Sequence, residues 1–556
     1  MEALRDFLFW LDAAPVRYWS LAWTCGAAVV LLAVWPRRWP AGKLATGWAF
    51  ALAVVLMLFA FRWPAFFYRA DLNPDEAQIV AGAITLHEDP VVWRSLDTTT
   101  HGPLLEYPLI VTHAFGAPFN YVTARVIGVL LQALALVATW RTLRRFAPEP
   151  IARIGILPGL FFWSLIAWED YLHYSSELPG ITLLALSTWA AAALFSPATG
   201  RGPGTTTAFF AGLAAGLVPL AKLQSVPQAA GLLLITAGLI WFAPICRPQR
   251  QRLLGALCAG VAVVGIGLGV YLQAFSLWRE FWLTYITSAL AYMETSAYPF
   301  AAMPGRFFHF AATAPVFAMF FWGALGFAVL YLREPVQDRS LRVARRVAWA
   351  LLALAMFTVL RPGREAAHYL HLLVVPLTLL AGLTLAGACP TAGRYRVMGA
   401  FVVLALAPQV WDRLATGSRF IGNAAHHWQE PASPVAEFIG QHLHPGDTMA
   451  MWGWAPHLHV ELQLPHVTRE PHSGNQIMQW SLTRFFVERY LQDITRCPPI
   501  WFVDVVGPGA FIYDSRATQA HESVPALRDL ISRDYDLVAE IDGSRIYLHK
   551  GRLPRP

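Results

Sequence analysis

Three carboxylates lie close together directly after the second strongly apolar stretch of this chain. They are Asp71, Asp75 and Glu76. A carboxylate in such a position can accept the proton of a hydroxyl group and so make its oxygen a nucleophile. A structural interpretation is also open, because Asn73 and Pro74 could cap and begin a helix whose first turn favours negative charge.

Positively charged side chains elsewhere could stabilise negative charge on a ligand. The candidates are Arg125, Lys222, Arg361, Arg364 and His368, with Tyr369 beside the last of them. Lys222 is one of only three lysines and follows the apolar run 208–221; it could instead extend to the interface from a helix end. Arg125 could pair with a loop carboxylate, and His368 with Tyr369 could belong to an interfacial aromatic belt.

Other polar and aromatic residues suggest further hypotheses. Glu177 begins an apolar stretch, where it could bind hydroxyl groups of a ligand or simply stabilise a helix N-terminus. His457 and His459 could bind a metal if they shared a strand face. No carboxylate or cysteine accompanies them at a ligand-like spacing, so we predict no metal. Trp452 and Trp454 could be core residues or could bind a ligand by stacking.

The composition defines the class of protein. Of the 556 residues, 56% are hydrophobic and 14% are charged, and the mean hydropathy is +0.45. Soluble domains carry about 25% charged residues, so the chain is not one soluble globule. Disordered chains and disulfide scaffolds are excluded too. The net charge of +7 does not predict a nucleic-acid partner, because membrane proteins keep arginine in their cytoplasmic loops.

About twelve apolar stretches are candidates for membrane-spanning helices. Their approximate ranges are 18–36, 44–62, 121–140, 152–169, 178–195, 207–222, 228–244, 254–274, 307–332, 346–360, 369–388 and 397–412. Arginine and lysine are concentrated in alternate loops, beginning with Arg37, Arg38 and Lys43. These loops fall on one side, predicted to be the cytoplasm. The first loop, 63–120, is then on the outer side, where we expect it to be ordered, with a helix along the membrane surface at 76–86.

A change of composition after residue 412 predicts a second domain. Residues 1–412 are predicted to form a helical membrane domain, and residues 413–556 a small α/β domain on the outer face. In this tail, the patterns predict strands at 448–452 and 500–506 and helices at 433–442 and 524–532. Asp542-Gly543 predicts a hairpin between 537–541 and 545–549.

Several segments occur in a characteristic order over nearly the whole chain. They are 71–76, 97–104, 107–108, 121–125, 212–224, 361–369 and 446–454. The set resembles the glycosyltransferase C superfamily, especially the bacterial relatives of protein O-mannosyltransferases and lipid A aminoarabinose transferases. The segment 71–76 matches the family's Asp-Glu motif. This chain has His101-Gly102-Pro103 where the aminoarabinose branch has Lys-Pro-Pro, so no lysine contact to donor phosphate is carried over there.

The resemblance implies a polytopic α-helical membrane protein of the glycosyltransferase C fold. Such an enzyme transfers a sugar from a polyprenyl phosphate to an acceptor, with inversion at the anomeric carbon. The implied base is Asp75, with Glu76 beside it and Asp71 as the nearest rival. Residues that would bind donor or substrate are His101, Arg125, Glu177, Lys222, Arg361, Arg364, His368 and Tyr369.

The same resemblance implies the location and the partners. We expect a multi-pass protein of the bacterial inner membrane with its active site facing the periplasm. No cofactor or metal is expected, since the lipid-linked sugar donor is a substrate. The partners are that polyprenyl-phosphate sugar, membrane lipids and an acceptor that the sequence leaves open among glycans, lipids and proteins.

Two other classes of protein stay open. A lipid or polysaccharide transporter or flippase should place charges near the middle of the membrane and show internal repeats. Here the acidic residues cluster at one predicted edge, and no repeat is evident. A non-catalytic assembly protein whose tail binds partners is the third hypothesis.

Overall fold

Membrane-spanning helices dominate the structure, a computed structural model that describes residues 2–34, 47–98, 100–195, 204–296, 298–390, 392–417, 420–422, 431 and 433–552. Within these residues, nine helices are long and apolar enough to cross a membrane. They are Pro15–Val34, Gly47–Phe66, Tyr121–Leu143, Glu177–Phe195, Leu223–Phe242, Arg247–Ala274, Arg339–Leu360, Ala367–Ala388 and Arg394–Thr416. The chain is thus a multi-pass membrane protein.

Two of the predicted spans are shorter than a membrane-crossing helix. Thr205–Ala221 is a helix of 17 residues, about 25 Å long, whereas the hydrocarbon core is about 30 Å thick. The predicted span 152–169 is divided into two helices, Glu149–Gly155 and Leu157–Leu165. Pro158 lies in the first turn of the second helix, where a missing N–H is tolerated but continuation of the preceding helix is not.

A third predicted span, 307–332, is bent. Its residues belong to the helix pair Phe300–Ala312 and Pro315–Leu330, whose axes differ by 117°. Ala314 has a ψ of 80°, because the ring of a following proline disfavours the helical conformation. The predicted cytoplasmic residues Arg37, Arg38 and Lys43 lie outside the described residues.

The chain divides into two compact units. The first unit comprises Met1–Phe66, Val126–Tyr271 and Ser296–Ala425, and the second comprises Phe67–Arg125, Leu272–Thr295 and His426–Pro556. The second unit therefore contains residues 67–120 of the first loop and most of the tail. The predicted domain boundary after residue 412 stays a prediction.

The helix Ala367–Ala388 forms the core of the first unit. Of the residues in an apolar stretch of 18 within this helix, 94% are buried, the largest share among the candidate spans of the described residues. A Cβ on Gly382 would lie 2.7 Å from Cδ1 of Leu143 and 3.2 Å from the carbonyl oxygen of Gly155. Glycine at this position therefore lets neighbouring backbones approach closely, as small residues do in membrane helix packing. The shorter helices Glu2–Asp12 and Glu169–Leu172 also belong to this unit.

The second unit contains a four-stranded mixed sheet. Its strands are β1 Met449–Trp452, β2 Trp501–Asp504, β3 Tyr535–Ile541 and β4 Ser544–His549. The order is β1-β2-β4-β3, with β1 and β2 parallel and the other pairs antiparallel. Asp542 and Gly543 both have positive φ, 48° and 78°, as the predicted two-residue hairpin requires. The predicted strands and hairpin are confirmed.

Helices of the second unit come from all three of its segments. They are Pro74–Glu88, Glu106–Ala114, Trp278–Glu280, Phe281–Thr287, Ser288–Glu294, Pro434–Gly440, His457–Leu462, Gly474–Ile477, Thr483–Arg496, Arg516–Gln519, His521–Ser523, Pro525–Asp534 and Lys550–Arg552. Two of them, Pro434–Gly440 and Pro525–Asp534, confirm the helices predicted in the tail.

The described residues of the first loop are ordered, as predicted, and are held to the tail by polar contacts. Arg489 Nη2 donates to Asp97 Oδ2 at 2.7 Å, and the side chains of both residues are almost fully buried. The backbone N–H of Asp97 donates to the carbonyl of Arg469 at 2.6 Å. The N–H of His466 donates to Oγ1 of Thr85 at 3.1 Å. Buried polar groups that are paired in this way hold a loop in one position.

Candidate active site

The loop carboxylates lie where a helix begins. Asn73 caps the helix Pro74–Glu88, and its Oδ1 accepts the N–H of Asp75 at 2.9 Å. Asp75 and Glu76 occupy the first turn, where the partial positive charge of the helix end stabilises them. The predicted cap and helix start are confirmed. Asp75 and Glu76 are neighbours in the first turn because they are consecutive in the sequence.

Glu76 and Arg125 form a buried ion pair. Arg125 Nη2 lies 2.7 Å from Glu76 Oε2, and both side chains are 0% exposed. The guanidinium also donates to the backbone carbonyls of Tyr68 at 2.5 Å and Ala70 at 2.8 Å. Arg125 therefore holds the backbone just before Asp71, so its structural interpretation, pairing with a loop carboxylate, is confirmed. Both carboxylate oxygens of Glu76 accept hydrogen bonds from Arg125, Oε1 at 3.0 Å and Oε2 at 2.7 Å, and a catalytic role for Glu76 stays a prediction.

Asp71 lines a cavity of the second unit. The cavity has a volume of about 420 Å³, and Trp454 and His457 are also among its lining residues. Asp71 is half-buried. Burial raises the pKa of its carboxyl group and Glu76 adds to this, while His457 and Arg125 oppose it. A raised pKa brings a carboxylate closer to the range in which it works as a general base near neutral pH.

Asp75 is half-buried and lies near His472. Burial lowers the pKa of His472 to about 3, and the negative charge of Asp75 partly opposes this. The His472 ring stacks on Trp454 with a centroid distance of 4.1 Å. The same part of the unit contains His101, whose Nε2 lies 2.5 Å from Glu106 Oε1. A donor-binding role for His101 stays a prediction.

The two tryptophans of the tail have different environments. Trp452 is 1% exposed, and its Nε1–H donates to the carbonyl of Gln519 at 2.8 Å, so it is a core residue. Trp454 lines the cavity instead. His457 and His459 lie on the helix His457–Leu462 rather than on a strand, so the condition for their proposed metal site is not met. Only His457 lines the cavity.

Acid should destabilise the second unit through three buried histidines. Burial lowers the pKa of His459 to about 3, of His466 to about 4 and of His472 to about 3, whereas an unfolded histidine titrates near pH ~6.5. The unfolded state therefore binds more protons between these values. The contribution of these neutral histidines to the free energy of unfolding is fully present above pH ~6.5. It is lost as the pH falls, by up to about 2 kcal/mol per histidine at pH ~5.

Hydrogen exchange of the full-length protein in nanodiscs, at neutral and acidic pH, would measure this loss. The variant His459→Asn keeps a donor for the carbonyl of Leu464, which His459 Nδ1 contacts at 3.0 Å, but it does not titrate. We expect its exchange in the second unit to depend less on pH. Equal pH dependence in the variant and the natural protein would contradict the prediction.

In the first unit, four of the predicted residues lie together. Lys222 Nζ donates to Ser176 Oγ at 2.6 Å and to the Glu177 carboxylate, and both charged side chains are buried. The ammonium lies 4.8 Å from the centroid of the Tyr369 ring. The Tyr369 ring is in turn 4.8 Å from that of His368. Within this group, Glu177 neutralises the ammonium of Lys222.

Arg361 and Arg364 follow the helix Arg339–Leu360 and are both half-buried. They belong to the first unit, as Lys222 does, whereas Asp71, Asp75 and Arg125 belong to the second. The predicted convergence of Lys222, Arg364 and His368 on a donor phosphate stays a prediction.

The role of Lys222 can be separated from its pairing. Lys222→Met alone should cost about 3–5 kcal/mol, because it leaves the Glu177 carboxylate buried without a partner. The double variant Lys222→Met, Glu177→Gln removes both charges and should regain most of that stability. If Lys222 binds phosphate, undecaprenyl phosphate should still bind the double variant about tenfold more weakly, measured by native mass spectrometry. A stable double variant with unchanged affinity would make Lys222 structural.

One group of side chains in the described residues has metal-like spacing. The ligand atoms of Asp504, His521 and Glu522 lie within 4.8 Å of one another. Arg545 Nη2 lies 2.7 Å from Asp504 Oδ2 and 2.8 Å from Glu522 Oε2. The Arg545 guanidinium already pairs with both carboxylates, so these side chains fit an ion-pair network better than a metal site. The expectation that no metal is needed stays a prediction.

Comparison with solved structures shows the class of fold. By sequence, no protein-family model and no curated protein matches the chain. By structure, the chain is similar to ArnT from Cupriavidus metallidurans bound to undecaprenyl phosphate, with a TM-score of 0.58 and 14% identity over 92% of this chain and 100% of that chain. The apo structure of the same protein gives a TM-score of 0.54 and 14% identity, over 92% and 99% of the two chains. The chain therefore shares the fold of ArnT, and this likeness confirms the predicted class of a multi-pass helical membrane protein with a small sheet near its C-terminus.

Proposed function

We propose that this protein is a membrane glycosyltransferase. It moves a sugar from a polyprenyl-phosphate donor to a hydroxyl group of an envelope acceptor. The observation that carries the proposal is the arrangement in the second unit. The Arg125–Glu76 pair anchors a loop in which Asp71 lines a cavity, and Asp75 lies four residues further along, in the first turn of the capped helix. The glycosyltransferase C fold supports the same function.

The proposed reaction is an inverting displacement. The acceptor hydroxyl gives its proton to Asp75, or to the rival Asp71, as its oxygen forms a bond to the anomeric carbon. The bond between that carbon and the phosphate oxygen breaks, and the lipid monophosphate leaves with the electron pair. Cations stabilise the charge that develops on this leaving group. The groups proposed to stabilise this charge are Lys222, Arg361, Arg364 and His368.

The proposed location is the bacterial inner membrane, with the site facing the periplasm. The arginine-rich alternate loops support this orientation, because basic residues favour the cytoplasmic side. The undecaprenyl phosphate seen with ArnT supports a polyprenyl phosphate as the carrier of the donor sugar. Membrane lipids are the remaining expected partners, and no cofactor is part of the proposal.

Comparison of a deletion strain with a complemented strain tests the function. Mass spectrometry of envelope lipids, glycans and proteins should find one sugar modification missing in the deletion strain and restored by the natural gene. Purified protein in nanodiscs should then transfer that sugar from its polyprenyl phosphate. If the modification persists while a lipid or polysaccharide accumulates on one side of the membrane, the transporter or flippase alternative is favoured.

A further inference from the structure

The cavity beside Asp71 has an aromatic wall. Its volume of about 420 Å³ is within the range of small-molecule sites, roughly 300–1,000 Å³. Trp454 and Phe511 form the wall, with ring centroids 5.8 Å apart and planes at 80°. Stacking on His472 at 4.1 Å fixes the indole plane of Trp454. Phe511 is 49% exposed, so a large apolar ring borders the space without being part of the core.

The other lining residues combine polar groups with apolar ones such as Val435, Leu458 and Val505. Asp71, His457 and Asp542 contribute side chains that bind hydrogen-bond donors or acceptors, and Ser433 and Ser544 contribute hydroxyls. The segment 507–510 adds backbone and little side-chain volume. Sites that recognise small ligands combine aromatic surface with a few polar groups in this way.

The charge of the lining excludes one class of ligand. None of the described residues that line the cavity is lysine or arginine, although the whole chain carries a net charge of +7. A phosphate or carboxylate placed here would face the carboxylates of Asp71 and Asp542, and the lining itself offers no lysine or arginine to pair with it. Unpaired like charges discriminate strongly against such a ligand.

We propose that this cavity binds a neutral saccharide, and that this saccharide is the acceptor of the transfer reaction, so the inference rests on the proposed function. A pyranose ring has an apolar C–H face, which can pack on Trp454, and hydroxyls at its edge, which can donate to the carboxylates of Asp71 and Asp542. An acyl chain would leave those carboxylates unpaired. The ring size also suits a cavity of this volume.

Hydrogen-exchange mass spectrometry of the full-length protein in nanodiscs tests the proposal without relying on transfer. The probes are the neutral disaccharides cellobiose and N,N′-diacetylchitobiose, with glucose 6-phosphate as the anionic comparison. We expect a neutral disaccharide to slow exchange in 433–437, 454–458 and 507–513. Glucose 6-phosphate should have no such effect.

Two cavity variants and one control make the test specific. Phe511→Ala should weaken neutral-sugar binding by about tenfold, as truncation of an aromatic anchor does, and Ala510→Trp should block the space. Leu537→Ala is the control, because Leu537 is 54% exposed in the same unit and does not line the cavity. All three changes are at partly exposed positions, so they should leave the fold intact.

Several outcomes would overturn the proposal. They are no protection by either neutral disaccharide in a folded protein, stronger protection by glucose 6-phosphate, and protection that the two cavity variants do not reduce. Failure of the proposed function can be distinguished from failure of this inference. If sugar binds in the cavity but no transfer occurs, the protein binds saccharides and is not a transferase. If transfer occurs to an acceptor that does not protect the cavity, the protein is a transferase and its acceptor binds elsewhere.

Discussion

We expect Asp75→Asn to reduce sugar transfer by about 10²–10⁴-fold, which is the usual contribution of a general base. Asparagine has nearly the same size but cannot accept a proton from the acceptor hydroxyl. The cap of the helix is retained, because Asn73 and not Asp75 supplies the capping oxygen. The loss of one negative charge at the helix end should cost only about 0.3–1 kcal/mol. The rate of transfer should therefore fall by orders of magnitude, while the free energy of unfolding changes only slightly.

Complementation of the deletion strain measures this effect, with the modified envelope product quantified by mass spectrometry and protein level and thermal stability measured in parallel. Asp71→Asn is the matched variant, because it removes the same charge from the same loop and its carboxylate lines the cavity. If Asp71→Asn abolishes transfer while Asp75→Asn is nearly normal, Asp71 is the base. If both variants keep full transfer, the loop does not carry the chemistry.

The second large effect concerns the buried pair of Glu76 and Arg125. Glu76→Gln should destabilise the protein by about 3–5 kcal/mol, because it leaves the Arg125 guanidinium without its counter-ion in a fully buried position. The backbone before Asp71 should also lose order, since Arg125 holds the carbonyls of Tyr68 and Ala70. Faster hydrogen exchange in 68–80 and a lower melting temperature are the expected results.

Two further variants separate charge from geometry. Arg125→Lys keeps the positive charge, but one ammonium cannot reproduce the planar set of contacts to Glu76, Tyr68 and Ala70, so an intermediate loss of stability is expected. Glu76→Gln with Arg125→Met removes both charges and should be more stable than Glu76→Gln alone. If Glu76→Gln melts like the natural protein while transfer is lost, the side chain has a catalytic role rather than a structural one.

Local sequence patterns were sufficient for much of the architecture. Apolar stretches predict membrane helices because a buried span needs only its own backbone hydrogen bonds and apolar side chains. Asn73-Pro74 predicts a helix start, and Asp542-Gly543 a hairpin, because these residues favour the required backbone angles regardless of distant contacts. At Pro158 and Pro315 the apolar pattern alone did not show that the helix is interrupted. The spans predicted there as continuous are divided or bent in the structure.

Contacts between distant residues were decided only by the tertiary structure. Glu76 pairs with Arg125, 49 residues away, and Asp71 shares a cavity with Trp454 and His457. No periodicity or spacing encodes which loop carboxylate is neutralised by a pair and which one borders a cavity, since that choice depends on how separate segments pack. The sequence by itself determined a multi-pass membrane protein with carboxylates at a helix start, and packing of the first loop with the tail determined the surroundings of each carboxylate.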